Sequence, residues 1–146
     1  MERRAYKYRI YPNLEQKIFF AKTFGCTRFI YNQMLADRID YYNTYGERLY
    51  NTPAQYKEKY SWLKEVDSLA LANSALHLDV AFRNYFRDQK VGFPRFKSKR
   101  GSKNAYTTNN QNGTIKIENG IIRLPKVGEV KIKQHRELKE NCKIKS

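Results

Sequence analysis

From Thr114 onward the apolar residues of this chain recur at every second position, whereas between Leu14 and Gln89 they recur at every third or fourth. The first period places alternate side chains on the two faces of a strand, and the second lines one face of a helix. The amino end adds a further constraint, because Arg4 to Tyr11 also alternates: Tyr6, Tyr8 and Ile10 on one face, Lys7, Arg9 and Tyr11 on the other. One strand therefore precedes the helices and at least three follow them. The expected fold class is α+β, a small antiparallel β-barrel or sheet with an α-helical bundle inserted between its first strand and the rest.

Local signals place the elements. Pro12 stops the first strand, and Asn13 with Gln16 has capping-box spacing at the head of a helix whose apolar stripe is Leu14, Ile18 and Ala21. Gly25-Cys26-Thr27 reads as a turn, followed by a second helix from about Arg28 to Tyr45, so that residues 13–45 have a helix-turn-helix outline. Thr52-Pro53-Ala54-Gln55 marks another helix start, and Asp67 caps the longest helix, Ser68 to Gln89. There Leu71, Ala75, Leu78, Phe82 and Tyr85 form one stripe and Leu69, Ala72, Leu76, Val80 and Phe86 an adjoining one, an apolar surface broad enough for the centre of a bundle. Asn119-Gly120 between Ile115/Ile117 and Ile122/Leu124 is a two-residue hairpin signal. Pro125 and Gly128 turn the chain into a third short strand carrying Val130 and Ile132, and Ile144 starts a further one.

Charge narrows the function classes. The 146 residues hold 29 Lys plus Arg against 14 Asp plus Glu, a formal net charge of +15. Residues 1–89 carry 14 basic and 10 acidic side chains, residues 90–146 carry 15 and 4. Lys90, Arg95, Lys97, Lys99, Arg100 and Lys103 crowd one stretch with Gly92, Pro94 and Gly101, which reads as a flexible basic loop suited to a polyanion. Twelve tyrosines and eight phenylalanines in so basic a chain point to phosphates and flat bases, although roughly two thirds of the rings are expected in the core. No apolar run reaches the roughly 18 residues of a membrane span and the amino end lacks a secretory core, so the expected location is cytoplasmic, associated with the bacterial nucleoid.

A search for chemistry finds none. Cys26 and Cys142 are far apart with no Cys-x-x-Cys spacing, and neither histidine lies near them, which argues against zinc and against a disulfide framework. Glu2, Glu118, Glu129 and Glu137 do not fall on one face as metal-binding nuclease carboxylates would. Asp37 and Asp40 read as an exposed helical face, and His77 as a hydrogen-bonded bundle histidine. Neither a Walker nor a dinucleotide glycine loop is present. The reading is binding without catalysis: no catalytic residue, no metal ligand and no cofactor.

Several blocks in order carry a family resemblance: Lys7-Tyr8-Arg9-Ile10-Tyr11-Pro12-Asn13 with Gln16; Thr23-Phe24-Gly25-Cys26-Thr27-Arg28-Phe29-Ile30-Tyr31-Asn32; Trp62-Leu63-Lys64-Glu65-Val66-Asp67; Ala81-Phe82-Arg83-Asn84-Tyr85-Phe86; Gly92-Phe93-Pro94-Arg95-Phe96-Lys97; and Leu124-Pro125-Lys126-Val127-Gly128. Together they resemble the amino-terminal wedge and recognition region of the OrfB/TnpB family of insertion-sequence proteins. The resemblance implies an RNA-guided DNA endonuclease related to type V CRISPR nucleases. Its parts would be an oligonucleotide-binding-like wedge barrel from residues 1–12 and 97–146, a helical recognition domain from 13–96, and then a RuvC-like nuclease with a zinc ribbon. The chain is expected to stop where that nuclease half would begin, so Mg and Zn would belong to the missing half and this chain alone would not be an enzyme.

What the family does with this region is to hold a guide RNA and to read a short transposon-adjacent motif in double-stranded DNA. By position, Tyr50, Ser68, Ala72, Gln111 and Asn112 correspond to places where the family contacts the motif, with Ser68 and Ala72 shorter than the polar side chains found there and Asn112-Gly113 equally readable as a turn. For RNA, the cations Arg3, Arg4, Lys7 and Arg9 and the loop residues Lys97, Lys99, Arg100 and Lys103 are the candidates, with Tyr6, Tyr8, Phe93 and Phe96 as rings that stack on bases or pack in the protein. Alternatives that stay open are half of a split nuclease completed by a separate RuvC-like chain, a stand-alone helix-turn-helix regulator, and a decayed gene product.

Overall fold

The structure, a computed structural model, describes residues 2–146 and is mixed helix and antiparallel sheet. In chain order the elements are β1 (Arg9–Tyr11), α1 (Leu14–Tyr45), α2 (Pro53–Tyr56), a 3-10 turn (Ser61–Glu65), α3 (Ser68–Arg87), a second 3-10 turn (Gln89–Val91), β2 (Lys116–Glu118), β3 (Ile121–Leu124) and β4 (Gly128–Lys133). Two compact units result: a sheet unit, taking in the chain up to Phe19 together with Asn109–Ser146, and a helical unit, Phe20–Thr108.

The sheet unit has strand order β1-β4-β3-β2, every pair antiparallel. Asn119 and Gly120 both adopt positive φ, 51° and 74°, the requirement of the tight hairpin that joins Glu118 to its partner Ile121. Along β4 the period of two is realised: Val130 and Ile132 are buried with Ile115, while Lys131 and Lys133 face water. The capping box also forms, Asn13 Oδ1 accepting from the Gln16 N–H at 2.8 Å and Gln16 Oε1 from the Asn13 N–H at 2.9 Å. Gln16 Nε2 then donates to the Glu129 carbonyl at 2.6 Å, tying the helix start to β4.

Of the two forms expected here, barrel or sheet, the open sheet is seen, and two finer expectations fail. The four strands do not close on themselves, leaving β1 and β2 as edges. The first strand pairs over three residues rather than from Arg4, because Tyr6 and Tyr8 stack on each other at 6.3 Å and are engaged by the chain beyond β4: Arg136 lies over Tyr6 at 4.6 Å, and the Tyr8 hydroxyl donates to the Arg136 carbonyl. Ile144 starts no strand; Asn110 holds this segment instead, its N–H donating to Lys145 O and its Nδ2 to Ile144 O, both at 2.9 Å.

In the helical unit the expected turn at Gly25-Cys26-Thr27 is absent, since α1 runs unbroken for 32 residues. A helix-interior glycine costs only about 1 kcal/mol, and continuity is favoured by a single buried stripe, Phe20, Thr23, Cys26, Ile30, Tyr31, Met34 and Leu35, that crosses Gly25 at three- and four-residue spacing. The stripe expected from Leu14 and Ile18 is exposed. Asp67 caps α3 as anticipated, its Oδ1 accepting from the Leu69 N–H at 3.0 Å. Of the two α3 stripes only the first is used: Leu71 and Leu78 join Cys26, Ile30, Met34, Leu35, Leu63 and Val66 in the core, whereas Leu76, Val80 and Phe86 are exposed. α3 is thus amphipathic rather than central. Among the described rings Phe20 and Tyr31 are buried and Phe29, Tyr56, Tyr60 and Phe82 are half-buried against the core, fewer than the two thirds expected there.

Candidate nucleic-acid interface

The glycine- and proline-spaced stretch after α3 has no helix or strand from Gly92 to Thr108, yet it is held at four points. Phe93 packs edge-on against Phe82 and Tyr85, centroids 5.5 and 5.3 Å away, so this ring caps α3. Lys97 is gripped by Asn32 of α1 through both its backbone N–H and its carbonyl. Tyr106 lies against Phe20 and Phe24 at 6.2 and 5.9 Å. Thr108 donates to the Asp67 carboxylate, the same group that caps α3. Between these anchors the chain turns at Ser98–Ser102, where the Gly101 N–H donates to Ser98 Oγ at 2.9 Å.

This segment, α1 and α3 together wall a cavity of about 560 Å³. Arg28, Arg95, Lys97 and Lys103 line it, with Phe24, Phe96 and Tyr106 as its rings, and no acidic side chain is among its lining residues. Burial lowers the pKa of Lys97, whose Nζ sits 4.3 Å from the Tyr31 ring centre, a cation–π contact that offsets part of the lost hydration. Burial and, second, the Asp67 charge push the Tyr106 phenol up to about 12, so it stays a neutral hydroxyl. His77 is exposed and lines the cavity rather than being sequestered in a bundle.

The residues singled out from the sequence distribute over both units. In the sheet unit Arg3, Arg4, Lys7 and Arg9 are exposed; Arg4 pairs with Glu2 at 2.9 Å, and the Arg9 guanidinium lies 6.0 Å from the Tyr11 ring. Gln111 and Asn112 are also exposed there, in a turn where Asn112 has φ of 54° and Thr114 Oγ1 accepts from the Gln111 N–H at 3.0 Å. In the helical unit Lys99, Arg100 and Lys103 are exposed on the loop. Tyr50 is 77% exposed with the Arg48 guanidinium 4.9 Å over its ring. Ser68 and Ala72 sit one turn apart on α3, Ser68 exposed and Ala72 half-buried.

Sequence reasoning gave Asp37 an exposed helical face, but it accepts from the Tyr56 hydroxyl at 2.6 Å and from Gln33 Nε2 at 3.1 Å. It also missed Arg28, His77 and Tyr106 as neighbours of the loop cations, because only the folded-back segment brings residues from α1, α3 and the loop together. Among the described residues no group of three His, Cys, Asp or Glu side chains could hold a metal. Among them, too, no helix is long and apolar enough to cross a membrane. Cations and rings with no acidic side chain in the cavity lining make a surface whose charge suits a polyanion.

Comparison with known proteins agrees with the blocks read from the sequence. Residues 1–47 match the family model of the OrfB/IS605 helix-turn-helix domain. A Streptomyces pristinaespiralis protein named as an RNA-guided DNA endonuclease is 36% identical over 110 residues, 69% of this chain and 27% of that protein. The virulence protein VsdF of Salmonella dublin is 36% identical over 115 residues, 67% of this chain and 95% of VsdF. InsQ of Escherichia coli strain K12, also named as an RNA-guided DNA endonuclease, is 29% identical over 141 residues, 92% of this chain and 34% of InsQ. The chain thus spans about a third or less of the two endonuclease-named relatives.

Proposed function

Since the chain belongs to the OrfB/TnpB family of insertion-sequence proteins, we propose that these 146 residues form the nucleic-acid-binding part of an RNA-guided DNA endonuclease, holding guide RNA and a short DNA motif. The observation that carries this reading is the similarity to InsQ, which runs over 92% of the chain. The sheet unit takes the part of the wedge, an open form of the barrel, and the helical unit that of the recognition domain; residues 97–108, assigned to the wedge by sequence, belong by contact to the helical unit. Arg3, Arg4, Lys7, Arg9, Lys97, Lys99, Arg100 and Lys103 hold RNA phosphates, and Tyr50, Ser68, Ala72, Gln111 and Asn112 face the DNA motif. Cutting, with its Mg and Zn, falls to a RuvC-like nuclease region outside these 146 residues, on the same polypeptide or on a separate chain. Such work belongs in the cytoplasm beside the nucleoid.

The test is to purify the 146-residue chain without nuclease treatment and sequence the RNA retained after a moderate salt wash. One structured species mapping beside a transposon end is expected. A random mixture, or none, overturns the guide-binding reading. Affinity for that RNA should fall with salt at a slope of about −0.7 per phosphate contact.

A further inference from the structure

The cavity inside the helical unit, of whose lining the proposed function names only Lys97 and Lys103, has the most specific chemistry. Its walls are of two kinds. Phe24, Phe96 and Tyr106 supply ring faces and edges, and Phe96 is 57% exposed, an expense of apolar surface that the core does not explain. Arg28 on α1 and Arg95 and Lys103 on the loop supply cations, and no acidic lining residue offsets them. An anion is therefore favoured, and an anion with a flat apolar part more so.

Size restricts the ligand further. About 560 Å³ lies within the roughly 300–1,000 Å³ of small-ligand sites, enough for one base with its sugar and phosphate but not for a stacked run or a duplex. Of the loop cations, Lys97 is turned onto the Tyr31 ring at 4.3 Å, which leaves Arg95 and Lys103 as the loop's free-ranging charges toward the cavity. The loop itself is anchored at Lys97 by Asn32 and at Tyr106 by Phe20 and Phe24, so the walls are set before a ligand arrives. Tyr106 adds a hydroxyl able to donate to a phosphate or base oxygen.

We propose that this cavity takes a single unpaired nucleotide of a nucleic-acid strand, its base stacked on Phe96 and its phosphate held by Arg28 and Arg95, with Lys103 on the adjoining phosphate. The assignment rests on the nucleic-acid-binding reading and adds to it a defined site, with Arg28, Arg95, Phe96 and Tyr106 in named roles. The shared chemistry is base plus phosphate, and RNA and single-stranded DNA are its two sources.

The test uses the full chain and a short oligouridine carrying 5-iodouridine, as RNA and as the deoxy strand, with photo-crosslinking and mass mapping of the adduct. Adducts on Phe96 or Tyr106 are expected, and whichever strand gives them identifies the source. Arg95→Gln, Lys103→Gln and Phe96→Leu should each weaken binding about tenfold, against less than about twofold for Arg83→Gln, a cation on α3 outside the cavity lining. Adducts confined to other residues, or equal losses for Arg95→Gln and Arg83→Gln, overturn the proposal. So does displacement of the strand by free uridine monophosphate at equal concentration. Because Phe96→Leu changes an exposed ring, its fold is checked by circular dichroism. Retention of a specific RNA by the wild-type chain is scored separately, so a failed pocket and a failed guide-binding reading give different results.

Discussion

Asn32 grips Lys97 by its backbone at both groups: Oδ1 accepts from the Lys97 N–H at 2.7 Å, and Nδ2 donates to the Lys97 carbonyl at 2.8 Å. One amide thereby does for a loop residue what a neighbouring strand would do, and it fixes a basic segment onto α1 without any ladder. The adjacent Tyr31 receives the Lys97 ammonium, so the same turn of α1 holds both the backbone and the side chain.

Removing that grip should loosen the loop while leaving the core intact. Asn32→Ala is expected to cost about 1–2 kcal/mol, two ordinary hydrogen bonds at a half-exposed site, and to speed hydrogen exchange at the Lys97 amide well beyond exchange at Leu35 or Leu71. Equal acceleration at all three would mean that Asn32 acts on the whole unit, contrary to this account.

Arg38 supports a different corner of the helical unit. It reaches Asp79 of α3 at 2.8 Å and Asn51 Oδ1 at 2.8 Å, and its guanidinium lies 5.7 Å from the Phe82 ring. Its side chain is 10% exposed and that of Asp79 33%, so loss of the arginine leaves a carboxylate only partly rehydrated and the buried Asn51 Oδ1 without its donor. Arg38→Ala should therefore destabilise by about 2–3 kcal/mol, and Asp79→Asn by roughly half as much because the neutral amide can still accept from Arg38. Urea unfolding of the two variants decides it; equal costs would remove the argument from the stranded charge.

How much of this was legible before folding differs by element. The Asn119-Gly120 hairpin, the Asp67 cap and the Asn13/Gln16 box were readable because each depends on side-chain and backbone chemistry within a few residues. The unbroken α1 was not, since Gly25 signals a turn locally and only burial of Cys26, Ile30 and Met34 against Leu63 and Leu71 decides otherwise. The second stripe of α3 misled for the same reason: periodicity shows that Leu76 and Val80 share a face, not that anything covers it. The loop cations were visible as a charge cluster, but their pairing with Arg28, His77 and Tyr106 depends on the long-range anchors at Asn32 and Asp67.

Tyr106 gives a pH signature. Its folded phenol is raised to about 12 from an ordinary 10, chiefly by burial. The folded state holds this proton more tightly than the unfolded chain does: below pH 10 both states keep it, and between 10 and 12 only the folded state does, so rising pH there favours the unfolded chain, which releases it. Stability should thus be level with respect to this group up to about pH 10 and fall as pH rises toward 12. Tyr31 and Tyr56 are raised by burial as well, so the comparison must be with Tyr106→Phe, which should flatten part of the alkaline slope and remove one late-titrating phenolate from the absorbance at 295 nm. An unchanged slope would show that the ring is not desolvated as described.

The two thiols offer the last contrast. Cys26 is buried on the α1 stripe, and burial raises its pKa, while Lys22 lowers it and Glu65, ion-paired with Lys22, raises it. Cys142 is exposed in the sheet unit. Because the thiolate is the reactive form, a disulfide reagent at neutral pH should modify Cys142 promptly and Cys26 only through opening of the helical unit. One thiol per chain is therefore expected to react without denaturant and two with it, and the slow phase should quicken in step with loss of helical circular dichroism in urea. Cys26→Ala should cost about 1 kcal/mol by leaving a small void beside Ile30 and Leu63, with the fast phase untouched. Two equally fast thiols in the native chain would place Cys26 outside the core and undo the packing of α1 against α3.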